Sequence, residues 1–200
     1  MLRATAVILA LASVTCSTYK HSHESHAVRH SPRTLWDVCW SDNGKMLLPS
    51  DDWPHAPKCA KPRPIVWPGA RVRIATHTEH PHLDAHLDAA IAQWNAWLGW
   101  DMLTRTGLGY DVVVLWLPPS PFLMGLAHLE IEAGVMVGGI AVYGYYPSRA
   151  YHTLLHEIGH ILGLAHDVDG SGGLMGPGSA DDELMVKRED IEAIRRLYGR

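Results

Sequence analysis

His156-Glu157-Ile158-Gly159-His160-Ile161-Leu162-Gly163-Leu164-Ala165-His166 is the stretch on which the reading of this chain turns. Its apolar residues and lack of proline suit a helix that stops at Gly163. On an α-helix, residues i and i+4 differ by about 40° of rotation, so His156 and His160 share a face one turn apart. Two imidazole nitrogens on that face can meet one Zn²⁺ at about 2.0–2.1 Å. Gly163 tolerates positive φ and lets the chain turn sharply. That turn returns His166 as a third ligand. Three protein ligands leave a fourth position open, the arrangement of catalytic rather than structural zinc sites. Glu157 points aside from the pair, within reach of a water at the open position. A helix that merely contains histidines would not need the glycine and the third histidine at these offsets, which favours the metal reading.

The elements around this stretch follow from apolar spacing. Pro147-Ser148 opens its helix, with Ser148 as the expected N-cap. Upstream, Arg71 to His77 alternates as a half-buried strand, and Leu83 to Leu98 carries Leu83, Leu87, Ala90, Ile91, Trp94 and Leu98 on one helical face. Gly99 ends that helix. Asp111 to Leu117 is a continuous strand-length apolar run stopped by Pro118-Pro119. Gly134 to Tyr143 reads as another strand, with a bulge expected at Gly138-Gly139. Downstream, Lys187 to Tyr198 reads as an amphipathic helix.

The chain has 200 residues, 47% apolar and 19% charged, with a net charge of -4. That supports one folded domain with appendages and excludes a disordered chain. The mild acidity argues against a nucleic-acid partner. No stretch suits an integral membrane span. Residues 1–16 read as an export signal, with Arg3 before an apolar run and small residues at Ala10 and Ala12. Cys16 raises a lipid anchor as a variant of that reading. The expected location is secreted or cell-envelope. Residues 17–33 are His- and Ser-rich and read as a flexible linker. Residues 34–64 form a Trp- and Pro-rich extension of irregular structure or edge strand.

With these motifs in hand, the chain resembles the metzincin clan of zinc endopeptidases. That clan carries a methionine in a tight turn beneath the metal. Gly173-Leu174-Met175-Gly176-Pro177 has this form, and Leu174-Met175-x-Pro177 is similar to the matrixin version. Arg188-Glu189-Asp190-Ile191-x-x-Ile194-x-x-Leu197-Tyr198-Gly199 is similar to the matrixin C-terminal helix. The resemblance covers residues 65–200. It implies an α+β fold, with a twisted mixed β-sheet, a long backing helix, a zinc-binding helix, a Met-turn and a C-terminal helix. It further implies a monomeric zinc-dependent endopeptidase acting on a peptide or protein substrate. One catalytic Zn²⁺ would be held by His156, His160 and His166, with Glu157 as general base and Met175 as the floor of the site. The substrate would lie extended on an edge strand near Gly125–Leu129 or Gly134–Val137.

The sequence departs from the matrixin pattern in places. Asp167 follows the third ligand where matrixins usually have Ser. The His/Asp-rich loop that binds structural zinc and calcium in animal matrixins is not recognisable, which leaves structural calcium open and makes His128 a plain surface histidine. His77, His80, His82 and His86 read as a polar helix start. Cys39 and Cys59 could form a disulfide, which would stabilise the loop by about 3 kcal/mol. Pro57-Lys58-Cys59-Ala60-Lys61-Pro62 also looks like a degraded propeptide cysteine switch, with the Cys59 thiolate on the open zinc position. Both readings stand. The competing function is a zinc-containing peptide- or envelope-binding protein without turnover. Glu157 argues against it, because binding alone needs no base there.

Overall fold

Four strands running the same way form most of the main sheet. In the computed structural model, residues 37–40, 46–47, 63–77, 80–119, 124–132, 135–144, 149–166, 173–176 and 185–200 are described. The export signal, the linker, Cys16, Cys59, Ser148, Asp167 and Pro177 lie outside them. Strands β1 (Asp37–Trp40), β2 (Met46–Leu47) and β3 (Arg63–Pro64) make a small antiparallel sheet in the order β2-β1-β3. A 3-10 turn at Pro68–Ala70 leads into β4 (Val72–Thr76). Then come helix α1 (Pro81–Leu98) and strands β5 (Leu103–Arg105), β6 (Val112–Leu117), β7 (Gly125–Glu132) and β8 (Val135–Tyr143). Helices α2 (Ala150–Ile161) and α3 (Arg188–Leu197) complete the described chain.

The five-stranded sheet has the order β5-β4-β6-β8-β7, parallel throughout except for β7, which runs antiparallel to β8 at the edge. Period-two alternation sends Val72, Ile74, Val112, Val114, Ala127, Leu129, Ile140 and Val142 into the core shared with α1 and α2. Val113 and Leu115 point to the other face, where Tyr110, Leu117 and Leu126 pack on them. Burial on both faces explains why β6 is an unbroken apolar run. No helix among the described residues is long and apolar enough to cross a membrane.

Helix α1 buries all six residues assigned to its inner face. It begins two residues earlier than its apolar spacing shows. His80 Nδ1 accepts the Leu83 N–H, and Pro81 occupies the first turn, where no backbone donor is needed. Gly99 closes it with φ 84°. The expected bulge at Gly138-Gly139 is absent: both residues pair in continuous register with β6 and β7. The reason for Gly138 is space. A Cβ there would lie 2.8 Å from Leu129 Cδ2 and 3.3 Å from Ile161 Cδ1 of α2. Strand β5 has no sequence signal of its own. Its outer edge is held by Asn95, whose side-chain amide bonds both the N–H and the C=O of Leu103 at 2.9 Å.

Candidate active site

Helix α2 carries His156, Glu157 and His160 on its buried length, and Gly163 turns the chain out of it at φ 99°. The turn delivers His166 to the same point in space. The three Nε2 atoms form a nearly equilateral triangle, with sides of 3.1, 3.1 and 3.2 Å. Each corner is therefore about 1.8 Å from the centre, a spacing compatible with the 2.0–2.1 Å metal–nitrogen distances of a bound zinc. No other such group of metal-ligating side chains occurs among the described residues.

The tautomers of two imidazoles follow from their outer partners. His156 Nδ1 lies 2.6 Å from the Leu174 carbonyl oxygen, and His160 Nδ1 lies 2.8 Å from that of Leu164. A carbonyl only accepts, so each Nδ1 is the N–H that donates. Each neutral ring then presents a bare Nε2 lone pair to the other across 3.1 Å. Two lone pairs cannot hydrogen-bond one another, and a cation between them relieves the repulsion. Protonation is a poor substitute. Burial pushes His156 down to about 4 despite the Leu174 carbonyl, and His166 and His152 add to the shift. Burial holds His160 well below the ordinary histidine value, reinforced by His156 and His166. The donor set, its spacing and its neutrality all fit a divalent metal.

The turn Gly173–Gly176 closes beneath α2 with Gly176 N–H donating to Gly173 O at 3.1 Å. It supplies the Leu174 carbonyl to His156 and seats Met175, 3% exposed, under the helix. Gly159 makes room for it: a Cβ there would stand 2.5 Å from Met175 Sδ.

Glu157 is buried beside the triangle. Burial pushes its carboxyl up to about 8, and a hydrogen bond from the Ala127 backbone N–H pulls the other way. A dication at the triangle would pull it down further. The donor sits on the edge strand. Tyr143 N–H donates to Met124 O, so alternate residues from Met124 turn their backbone toward β8, and Gly125, Ala127 and Leu129 turn theirs outward. The edge at the site is thus β7. In β8, Val135, Met136 and Val137 pair with Glu132, Ile131 and Glu130 of β7, and from Gly138 onward the strand lies between β6 and β7; Gly134 lies outside the described residues. His128 is half-buried rather than at the surface. At the start of α1, His80 stacks on Trp116 at 4.8 Å, consistent with a structural role.

Residues 77–199 match the model of the matrixin peptidase family, a span that holds the three histidines, Glu157 and Met175. The chain belongs to the matrixin family. Among curated matrixin relatives and their wider clan, it is 32% identical over 83 residues to bovine (Bos taurus) interstitial collagenase, covering 37% of this chain and 17% of the relative. It is 32% identical over 79 residues to archaemetzincin of Pyrococcus horikoshii, covering 33% of this chain and 40% of the relative. The matched parts are thus less than half of either relative. Similar solved structures include archaemetzincin of Methanopyrus kandleri, at 16% identity and TM-score 0.44, covering 68% of this chain and all of that one. Myroilysin matches at 12% identity and TM-score 0.48, covering 67% and 86%. The assignment to the matrixins rests on the family match alone.

Three features of the site were not legible from motifs. They are the carbonyls of Leu164 and Leu174, the Ala127 N–H, and the clearance at Gly125 described below. The Leu164 carbonyl comes from the turn that leaves α2, and the others depend on how distant segments return to the helix.

Proposed function

We propose that this matrixin is an exported zinc endopeptidase that hydrolyses peptide bonds with Glu157 as general base. The observation that carries the reading is the triangle of Nε2 atoms with its outer nitrogens tied to carbonyls, beside a buried carboxyl. His156, His160 and His166 would hold the ion. When bound, zinc supplies a Lewis acid that polarises the scissile carbonyl and lowers the pKa of water.

The remaining steps belong to the chain. A Glu157 carboxylate oxygen takes a proton from the attacking water and later returns it to the leaving amine. Met175 floors the site and takes no part in proton transfer. The outward backbone groups of β7, apart from the Ala127 N–H that holds Glu157, would bind an extended substrate by strand addition. The apolar run before residue 16 supports export, and with it a secreted or envelope-bound enzyme.

The test compares the parent with Glu157→Ala. The variant should bind one zinc per chain and lose cleavage of a denatured protein by about 10²–10⁴-fold. Equal activity in the variant would remove Glu157 as the base. Zinc without cleavage in the parent would favour the non-catalytic binding protein.

A further inference from the structure

Strand β7 crowds the Glu157 side chain. A Cβ built on Gly125 would lie 2.5 Å from Glu157 Oε1, 2.8 Å from Glu157 Cγ and 2.5 Å from Thr153 Cγ2. Ordinary contact needs about 3.5–4.0 Å. Gly125 is not among the residues with positive φ, so its backbone asks for no glycine. Space is the reason for it. Two residues on, along the same outward edge, Ala127 donates its N–H to the Glu157 carboxyl. Thr153, buried and one helical turn before Glu157, stands on the other side of the gap. One strand therefore both grips the carboxyl and leaves it room.

We propose that Gly125 is a positioning residue that keeps the Glu157 carboxyl at its working place, an inference that rests on Glu157 being the base. A methyl at position 125 would meet two kinds of neighbour. Thr153 Cγ2 sits on a short β-branched side chain with stiff χ1 and cannot step aside, so that contact costs stability. Glu157 Oε1 ends a flexible side chain and swings away, while Glu157 Cγ at 2.8 Å must give too, so that contact costs geometry and a smaller share of stability. The two effects can be separated, because Thr153→Ser removes Cγ2 and leaves the collision with Glu157.

The experiment uses the zinc-loaded chain with Thr153→Ser as reference for Gly125→Ala/Thr153→Ser. The double variant should hold one zinc and melt below its reference by less than Gly125→Ala melts below the parent, because the Thr153 part of the clash is gone. Its kcat should fall on the order of 100-fold with KM unchanged, the loss expected when a catalytic group moves by about an ångström. A kcat equal to the reference would overturn the proposal, as would a loss carried by KM alone. A second readout needs no turnover. Gly125→Ala should lower the melting temperature less in a Glu157→Ala background than in the parent, because the colliding carboxyl is gone. Equal losses in both backgrounds would overturn the proposal. If the parent does not cleave, or Glu157→Ala cleaves as well as the parent, the assignment of the base fails. The melting-temperature coupling then still decides whether Gly125 makes room for Glu157.

Discussion

Gly159→Ala should weaken zinc binding although it improves the helix. In the interior of α2, alanine is favoured over glycine by about 0.8–1.0 kcal/mol. Against this stands the contact with Met175: the new Cβ would be 2.5 Å from Sδ and 3.1 Å from Cε. The sulfur must retreat by about an ångström to reach ordinary contact distance. Met175 is 3% exposed and Leu174 fully buried, so the retreat has nowhere free to go. Overpacking of this kind costs about 1–3 kcal/mol. The difference leaves a net loss of about 0–2 kcal/mol, modest for the fold. The larger effect falls on the metal. Met175 follows Leu174, whose carbonyl orients His156 through a 2.6 Å hydrogen bond. Losing such an orienting partner lowers metal affinity by about 10–100-fold. Zinc affinity is read by competition with a chromophoric chelator, alongside thermal melts. Gly159→Ala/Met175→Ala, which removes the collision, should recover part of the affinity. A Gly159→Ala variant that binds zinc as tightly as the parent and melts higher would refute the reasoning.

Other outcomes follow from the same structure. Trp67→Phe removes a buried 2.8 Å hydrogen bond from Nε1 to the Ile161 carbonyl at the end of α2, and should cost about 1–3 kcal/mol by denaturant titration. Zinc at about a thousand times its dissociation constant should stabilise the chain by about 4 kcal/mol, and EDTA should abolish the gain in a melt. Burial raises the Asp111 carboxyl, but Arg73 outweighs it with side-chain and backbone hydrogen bonds and its charge, so the folded value lies below the ordinary one. The stability from this pair is thus present above the unfolded carboxylate value of about 3.9 and lost as pH falls through the lower folded value. Asp111→Asn should therefore lie below the parent by a constant amount near neutral pH, with the gap closing in acid.

The meeting of His156, His160 and His166 was readable from sequence because its geometry is local. Two of the histidines sit one turn apart on a helix, and the third follows a glycine that must turn. The long helix was readable for the same reason, since Leu83 through Leu98 repeat with its period. What stayed hidden depends on partners far along the chain. Gly138 has the sequence signature of a bulge, but the reason for it is the space that Leu129 and Ile161 fill. Strand β5, three residues long, is held by β4 on one side and the Asn95 amide on the other. His80 was one histidine among several, and its capping bond to Leu83 distinguishes it. The position of Glu157 between Ala127 and Gly125 depends on the antiparallel turn of β7, which no local pattern announces.

The Trp67 backbone N–H donates to the Tyr198 hydroxyl at 3.0 Å, across 131 positions of sequence. Residues near the start and the end of the packed region, which opens at the buried Ile65, are thus neighbours, and the polypeptide there is a ring in space with one cut. The position of that cut is arbitrary as far as the packing is concerned. A short peptide joining the two ends, with new termini opened at Gly107–Gly109 beside the 88% exposed Leu108, would sever no contact of the core. A permuted chain of this kind should fold and gather its three histidines around zinc as the parent does.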